Sequence, residues 1–594
     1  MTELQDDRVK RDTLMTHYSR RGILKRSVAV GLTAPFAVSL IAACGSGDEP
    51  DEPSAEETTG TGPAAGATAT PGTGTSGETA ESSDTEPTAE TTGSQEGSAE
   101  GDPQYGGTLT VVHPNDFVTM WPMFTTGPTL EVAYDWLVVR RFNGETWEVE
   151  PSLAESWELT DTSATFTLRE GVKFHDGTDL DAEAVRWNVE MWVTHPQSIA
   201  KNALAAIDVE NPAEVIDTHT VQINLTSPAG SLLTELSDLQ RTTAIGSPAA
   251  YERLGETAIE LEAVGSGPFI FEEWVTGSRV TVKRNPDYWK SDENGNQLPF
   301  VDEIVYRWVS DDSVRLIEMR SQEADFTFFI RGRDIATVQN DPNLQYIEHP
   351  ASGGTMYRIF FNAQKGPFAE DLPLRQAVQY AIDREAIAQA VGGGLGFAAT
   401  HNLVPGAIGY SEDIPAYAYD LEKAKELRAQ SAAPVPLDTR ITIIAREADQ
   451  QMSQMIQQML AAIDINLNVE VVERAAWGDQ VRRANDFEIA TQRTEAPPDP
   501  DQHWTLTWAP DGPAAYVRPD EPEIWAMIQE GRESYDREER EAIYKELQTL
   551  MYESAWWGNI WVQPANYLAN ARVKGIPVLY MEDYREEVLW LDPQ

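Results

Sequence analysis

From Gly45 to Gln104 the chain contains no aromatic residue and no Val, Ile, Leu or Met. A run of Thr, Gly, Ser, Ala, Glu and Pro cannot bury enough apolar surface to offset the entropy of ordering it. Folding is therefore confined to 105–594, and a stretch of that length is too long for a single hydrophobic core, so at least two domains are expected. Charge is unevenly spread along the chain. Residues 1–43 carry a formal +3, residues 45–104 carry fourteen acids and no base, and the whole chain carries −51, which leaves −40 on the body. A field of that sign repels nucleic acid and anionic surfaces and excludes a nucleic-acid function.

The chain has a single cysteine, Cys44, so no intrachain disulfide can form. Upstream of it stand "SRRGILKR" (Ser19 to Arg26) and the mildly apolar run Ser27–Ala43, which ends in "IAAC". Paired arginines before a weakly hydrophobic segment resemble a twin-arginine export signal, with Ile23 where Phe is commoner. "IAAC" resembles a lipobox, whose small residues admit a signal peptidase that cuts before Cys44 and leaves that cysteine to be lipidated. Residues 1–43 are thus expected to be a signal peptide. Residues 44–104 are expected to be a lipidated cysteine and a disordered acidic linker, tethering the body to the outer face of the cytoplasmic membrane.

In the body, Thr108–Val112, Ala164–Leu168 and Thr220–Leu225 alternate as strands do. Asp181 is placed to cap a helix whose Val185, Val189 and Trp192 share one face. Pro373 suits the first turn of a helix with Leu374, Ala377, Val378, Ala381 and Ile382 on one side, ending at Gly392. "ITIIA" and "LNVEVVE" flank the helix Met452–Ile463. Ile543, Leu547, Leu550 and Met551 stripe another helix before "NIWVQP". Strands and helices without a strict alternation point to a multi-domain α/β protein.

Several long blocks then narrow the class. "EVEPSLAESWELTDTSATFTLREGVKFHDGTDLDAEAV" (Glu148–Val185), "GSGPFIFEEWVTGSRVTVKRNPDYW" (Gly265–Trp289), "PLRQAVQYAIDREAI" (Pro373–Ile387) and "YDLEKAKEL" (Tyr419–Leu427) resemble, in order and spacing, blocks of the family 5 extracytoplasmic solute-binding proteins. These are the peptide, oligopeptide and nickel-type receptors of ABC importers. The resemblance implies a two-lobed periplasmic-binding-protein fold, type II-like and of the enlarged peptide-binding class. Residues 105–355 with 561–594 would form lobe I and residues 356–560 lobe II, with ligand enclosed between them. A ligand that touches both lobes would favour the closed state, which the transporter permease would recognise. A monomer without catalysis or cofactor is expected.

Motifs of other classes find little support. Asp292, Asn294, Asn296 and Glu303 have EF-hand spacing, but Gln297 stands where that loop needs Gly, and a turn is the simpler reading. "VGGGLG" (Val391–Gly396) follows a helix rather than opening one and lacks Gly-Lys-Ser/Thr, so it reads as a helix end and loop. The eight histidines show no HExxH pattern, His175 reads as a turn residue, and no metal site is expected. No G-x-S-x-G occurs, so a secreted hydrolase is a distant alternative.

Candidate ligand residues follow from the resemblance. Arg446 falls where dipeptide binders place a carboxylate-pairing arginine, and Trp477 matches a position that commonly lines the pocket. The run "RTEAPPDPDQHW" (Arg493–Trp504) departs from the family. Aligned on Pro500, Ala496 stands where relatives carry the aspartate that pairs a peptide amine, and Arg493 where they carry a Trp. Glu495 is the neighbouring acid, although adjacent strand residues face opposite ways. A peptide is the leading ligand class. An oligosaccharide is the alternative, with Trp121, Trp136, Trp477 and Trp504 as stacking platforms.

Overall fold

The structure, a computed structural model, describes residues 102–593 except 125–129, 144–145, 239–240, 329, 350–353, 510–515, 518 and 578–584. The export signal, Cys44 and all but the end of the linker lie outside the described residues. Two mixed sheets organise the body. The first runs Leu344–Glu348, Asn566–Asn570, Phe326–Phe328, Thr108–His113, Glu303–Trp308, Arg279–Arg284 and Phe269–Val275 from edge to edge. The second runs Phe397–Ala398, Trp557–Gln563, Thr355–Phe361, Ile489–Glu495, Leu437–Ile444 and Ile465–Val472. A separate antiparallel sheet of Ala154–Thr160, Ser163–Leu168, Thr220–Asn224 and Ala213–Asp217 extends the first lobe.

The chain passes from the first sheet to the second between Glu348 and Thr355, and returns between Gln563 and Asn566. The return falls a little beyond the expected residue 561. Trp557–Gln563 stays paired with Thr355–Phe361 until Pro564, which has no N–H to donate.

Local signals in the sequence account for most elements. Asp181 accepts a hydrogen bond from the Ala184 N–H, and the helix Ala182–Thr194 buries Val185, Val189 and Trp192. The stretch after Asp371 is two helices, where one was expected. Leu372–Ala381 ends at Ile382, which is extended, and Asp383 caps a second helix, Arg384–Gly392, through the Ala386 N–H. The apolar period runs through the break, so periodicity alone hides it. The capping aspartate is the signal that reveals it. Gly393, left-handed at φ 61°, ends the second helix. Asp292 accepts from the N–H groups of Asn294 and Asn296, the geometry of a turn.

Candidate functional site

In the second lobe three neighbouring strands run parallel. Ile441 pairs with Ile489 on one side, and Ile444 pairs with Val472 on the other. Their carboxyl ends therefore open on the same edge of the sheet, where α/β proteins hold ligands. Arg446 lies just past the central strand, Arg474 just past its neighbour, and Arg493 within the third. The chain then turns through the short helix Arg474–Trp477 and the wide turn Gly478–Arg483, adding Trp477, Asp479, Arg482 and Arg483. Together these residues line a cleft of ≈ 640 Å³, within the usual range for small-ligand sites.

Trp477 is 3% exposed and meets Phe360 and Tyr516 edge-on, with ring centroids 6.4 and 5.6 Å apart. The Arg482 guanidinium lies 5.0 Å from the Tyr516 ring centroid. Burial pushes the Arg446 guanidinium below its ordinary value, and Arg493 and Arg474 push the same way. Asp449, 3.7 Å from Arg446, opposes them. The first lobe comes close to this rim, where Arg331 reaches within 3.7 Å of Glu447, the neighbour of Arg446.

The structure thus brings together two of the candidate residues, Arg446 and Trp477. It does not bring the others to this cleft. Trp121 is 1% exposed and packs on Tyr134 and Tyr251 in the first-lobe core. Trp136 is buried in the core beneath the first sheet. Trp504 is buried edge-on to Tyr544 in the second-lobe core. Tryptophan suits a core as well as a pocket wall, and at these three positions burial decided. Glu495 is exposed on the face of the strand that carries Arg493, but is not among the lining residues, while Ala496 is buried. Arg474, Arg482 and Arg483 are not among the residues that the sequence points to, and Arg493 stands there only as the residue at the Trp position. For Arg474 and Arg493 the readable signal is their place at the ends of strands that prove to be parallel neighbours, whereas Arg482 and Arg483 arrive on the turn Gly478–Arg483.

The rest of "APPDPDQHW" serves another purpose. Asp499 forms a two-pronged buried ion pair with Arg540, both bonds 2.8 Å, and Asp501 accepts 2.6 Å from Ser231 of the first lobe. Burial alone would raise the Asp499 carboxyl, but Arg540, with Arg140 behind it, holds it below the usual carboxylate range. Glu235, from the first lobe, is buried against this pair. Burial first, then Asp501 and Asp499, push its carboxyl well above the usual range, against the pull of Arg532 and Arg140. Asp501 is raised too, by burial and Asp499, with Arg532 and Arg540 opposing.

A raised carboxyl stabilises the fold fully below the unfolded value of about 4.3 and loses that contribution as pH rises through its folded value. Glu235→Gln, which mimics the neutral acid, is expected to keep its melting temperature as pH rises above about 4.3, where the parent declines. Parallel melting curves for the two proteins from pH 5 to 9 would count against a neutral Glu235.

Comparison with known proteins agrees with this architecture. Residues 148–514, more than half of the chain, match the model of the bacterial extracellular solute-binding proteins, family 5. The chain is 28% identical over 445 residues to heme-binding protein A of Haemophilus influenzae, covering 70% of this chain and 79% of that one. It is 27% identical over 467 residues to the dipeptide-binding protein of Escherichia coli, covering 73% and 85%. The periplasmic binding protein DppA of Helicobacter pylori, solved with the peptide STSA, superposes with a TM-score of 0.69 at 24% identity, over 82% of this chain and 99% of that chain. A two-lobed α/β body with a cleft at its parallel strand ends, matched across most of its length, belongs to the bacterial extracellular solute-binding proteins of family 5.

Proposed function

We propose that this protein captures a peptide-type solute between its two lobes and delivers it to the permease of an ABC importer. The observation that carries this reading is the cleft at the parallel strand ends, bordered by Arg446 and floored by Trp477. Its volume suits a short peptide, and an arginine beside a buried aromatic suits a carboxylate-ended chain lying on an apolar floor. The names of its relatives, dipeptide-binding protein among them, support the same class. The sugar alternative weakens, because three of its four stacking platforms, Trp121, Trp136 and Trp504, are buried in cores away from the cleft. In this reading the protein acts as a monomer without catalysis. The leader exports it, and lipidated Cys44 holds it at the outer face of the cytoplasmic membrane.

Mass spectrometry of the ligand released from the purified protein tests the solute class. A peptide is the expected result, and a bound oligosaccharide would overturn the peptide assignment. The anchor is tested separately by Cys44→Ala, which is expected to move the protein from the membrane fraction to the soluble one.

A further inference from the structure

Between Ile444 and Arg493 the chain holds eight acids and five arginines, a local excess of negative charge. Folding sorts them. All five arginines line the cleft, whereas Asp479 is the one acid among its lining residues. The sorting follows from topology, since Arg446, Arg474 and Arg493 stand at the carboxyl ends of three adjacent parallel strands. Neighbouring strands lie about 4.8 Å apart, so these side chains crowd one edge.

Little within the protein balances Arg474 and Arg493. Asp479 is engaged by Arg483, and Arg446 has Asp449 at 3.7 Å. Among the described residues neither Arg474 nor Arg493 has a carboxylate within ion-pairing distance. This wall is concave, floored by an indole, and belongs to a body of formal charge −40. Like charges this close repel one another, and Arg446 registers the repulsion of Arg493 and Arg474. An anion seated among them would relieve it.

A single terminal carboxylate occupies one guanidinium fork. It would leave at least one of Arg474 and Arg493 without a counter-charge. At the position where the family resemblance places the amine-pairing aspartate stands Ala496, which has no charge and is 1% exposed. We infer that the ligand is a small solute carrying at least two carboxylates, and that an acidic peptide is the form the cleft takes. This inference rests on the capture function proposed above and names its substrate class.

Calorimetric titration of the full chain with four probes tests it: tri-glutamate, tri-alanine, tri-lysine and tricarballylate. Tri-glutamate is expected to bind at least about tenfold more tightly than tri-alanine, and tri-lysine to give no heat. The double variant Arg474→Gln/Arg493→Gln is expected to shrink the tri-glutamate preference to less than about threefold. Its circular dichroism melt shows whether it folds, and Arg493→Lys, which keeps the charge, is expected to retain most of the preference.

Tri-alanine or tri-lysine binding as tightly as tri-glutamate would overturn the acidic class and leave peptide capture standing. Binding of tricarballylate with no peptide bound would uphold the dicarboxylate class and overturn the peptide reading. No heat from any of the four would overturn both.

Discussion

Arg540→Ala is expected to destabilise the protein by about 3–5 kcal/mol, the usual cost of removing one partner from a buried ion pair. Arg540 donates to both oxygens of Asp499, to the Gly531 carbonyl at 2.9 Å and to the Tyr544 hydroxyl at 3.1 Å. Its side chain is 5% exposed and that of Asp499 is 2% exposed. Truncation would strand the Asp499 carboxylate beside Asp501 and Glu235, two further buried acids whose carboxyls burial already raises. Burial would then push Asp499 up as well, since the guanidinium that outweighs it is gone. The cluster also joins the lobes through Ser231 and Asp501, so the loss would be felt in both. Urea unfolding of the variant is the measurement, and a loss below about 1 kcal/mol, typical of an exposed pair, would show that the pair is not buried in solution. Arg540→Lys, which keeps the charge but not the fork, is expected to fall between the two.

Gly332→Ala is expected to weaken ligand binding by about tenfold or more while leaving each lobe folded. Gly332 opens the helix Gly332–Gln339 in the first lobe and abuts Gly392, the last residue of Arg384–Gly392 in the second. A Cβ on Gly332 would lie 1.8 Å from the Gly392 carbonyl oxygen, a contact that only movement of the backbone can relieve. Alanine is a good helix residue at that position, so the change acts between the lobes and not within the helix. Gly230 makes a matching contact elsewhere on the lobe boundary. Its N–H donates to the Arg532 carbonyl at 2.6 Å, and a Cβ there would lie 1.8 Å from the Ser534 carbonyl oxygen. Small-angle scattering should show a larger radius of gyration for either variant in the presence of ligand. An unchanged radius together with unchanged calorimetric affinity would mean that these glycines do not govern closure.

Much of the local architecture is legible residue by residue. Asp181 caps its helix and Val185, Val189 and Trp192 face the core, because capping and helical period involve only neighbours in the chain. The same logic located the strands around Thr108, Ala164 and Thr220. It failed at Ile382, where an unbroken apolar stripe spans two helices and only Asp383 marks the join. The family blocks carried the two-lobed architecture. The resemblance they carry also pointed to Arg446 and Trp477, two residues that the structure sets together in one cleft.

The sequence by itself determined where most helices and strands of the body lie and to which family the body belongs. Each depends on composition, period or an ordered set of motifs, all of which are properties of the chain read in one direction. Only the tertiary structure decided which charges share a space. Arg446, Arg474 and Arg493 are separated by acids in sequence, and they meet because parallel pairing returns each strand end to the same edge. It also decided that Trp121, Trp136 and Trp504 are buried in cores and that Asp499 faces Arg540. Indole and carboxylate fit either a core or a cleft, and the choice between them is made by neighbours that are distant along the chain.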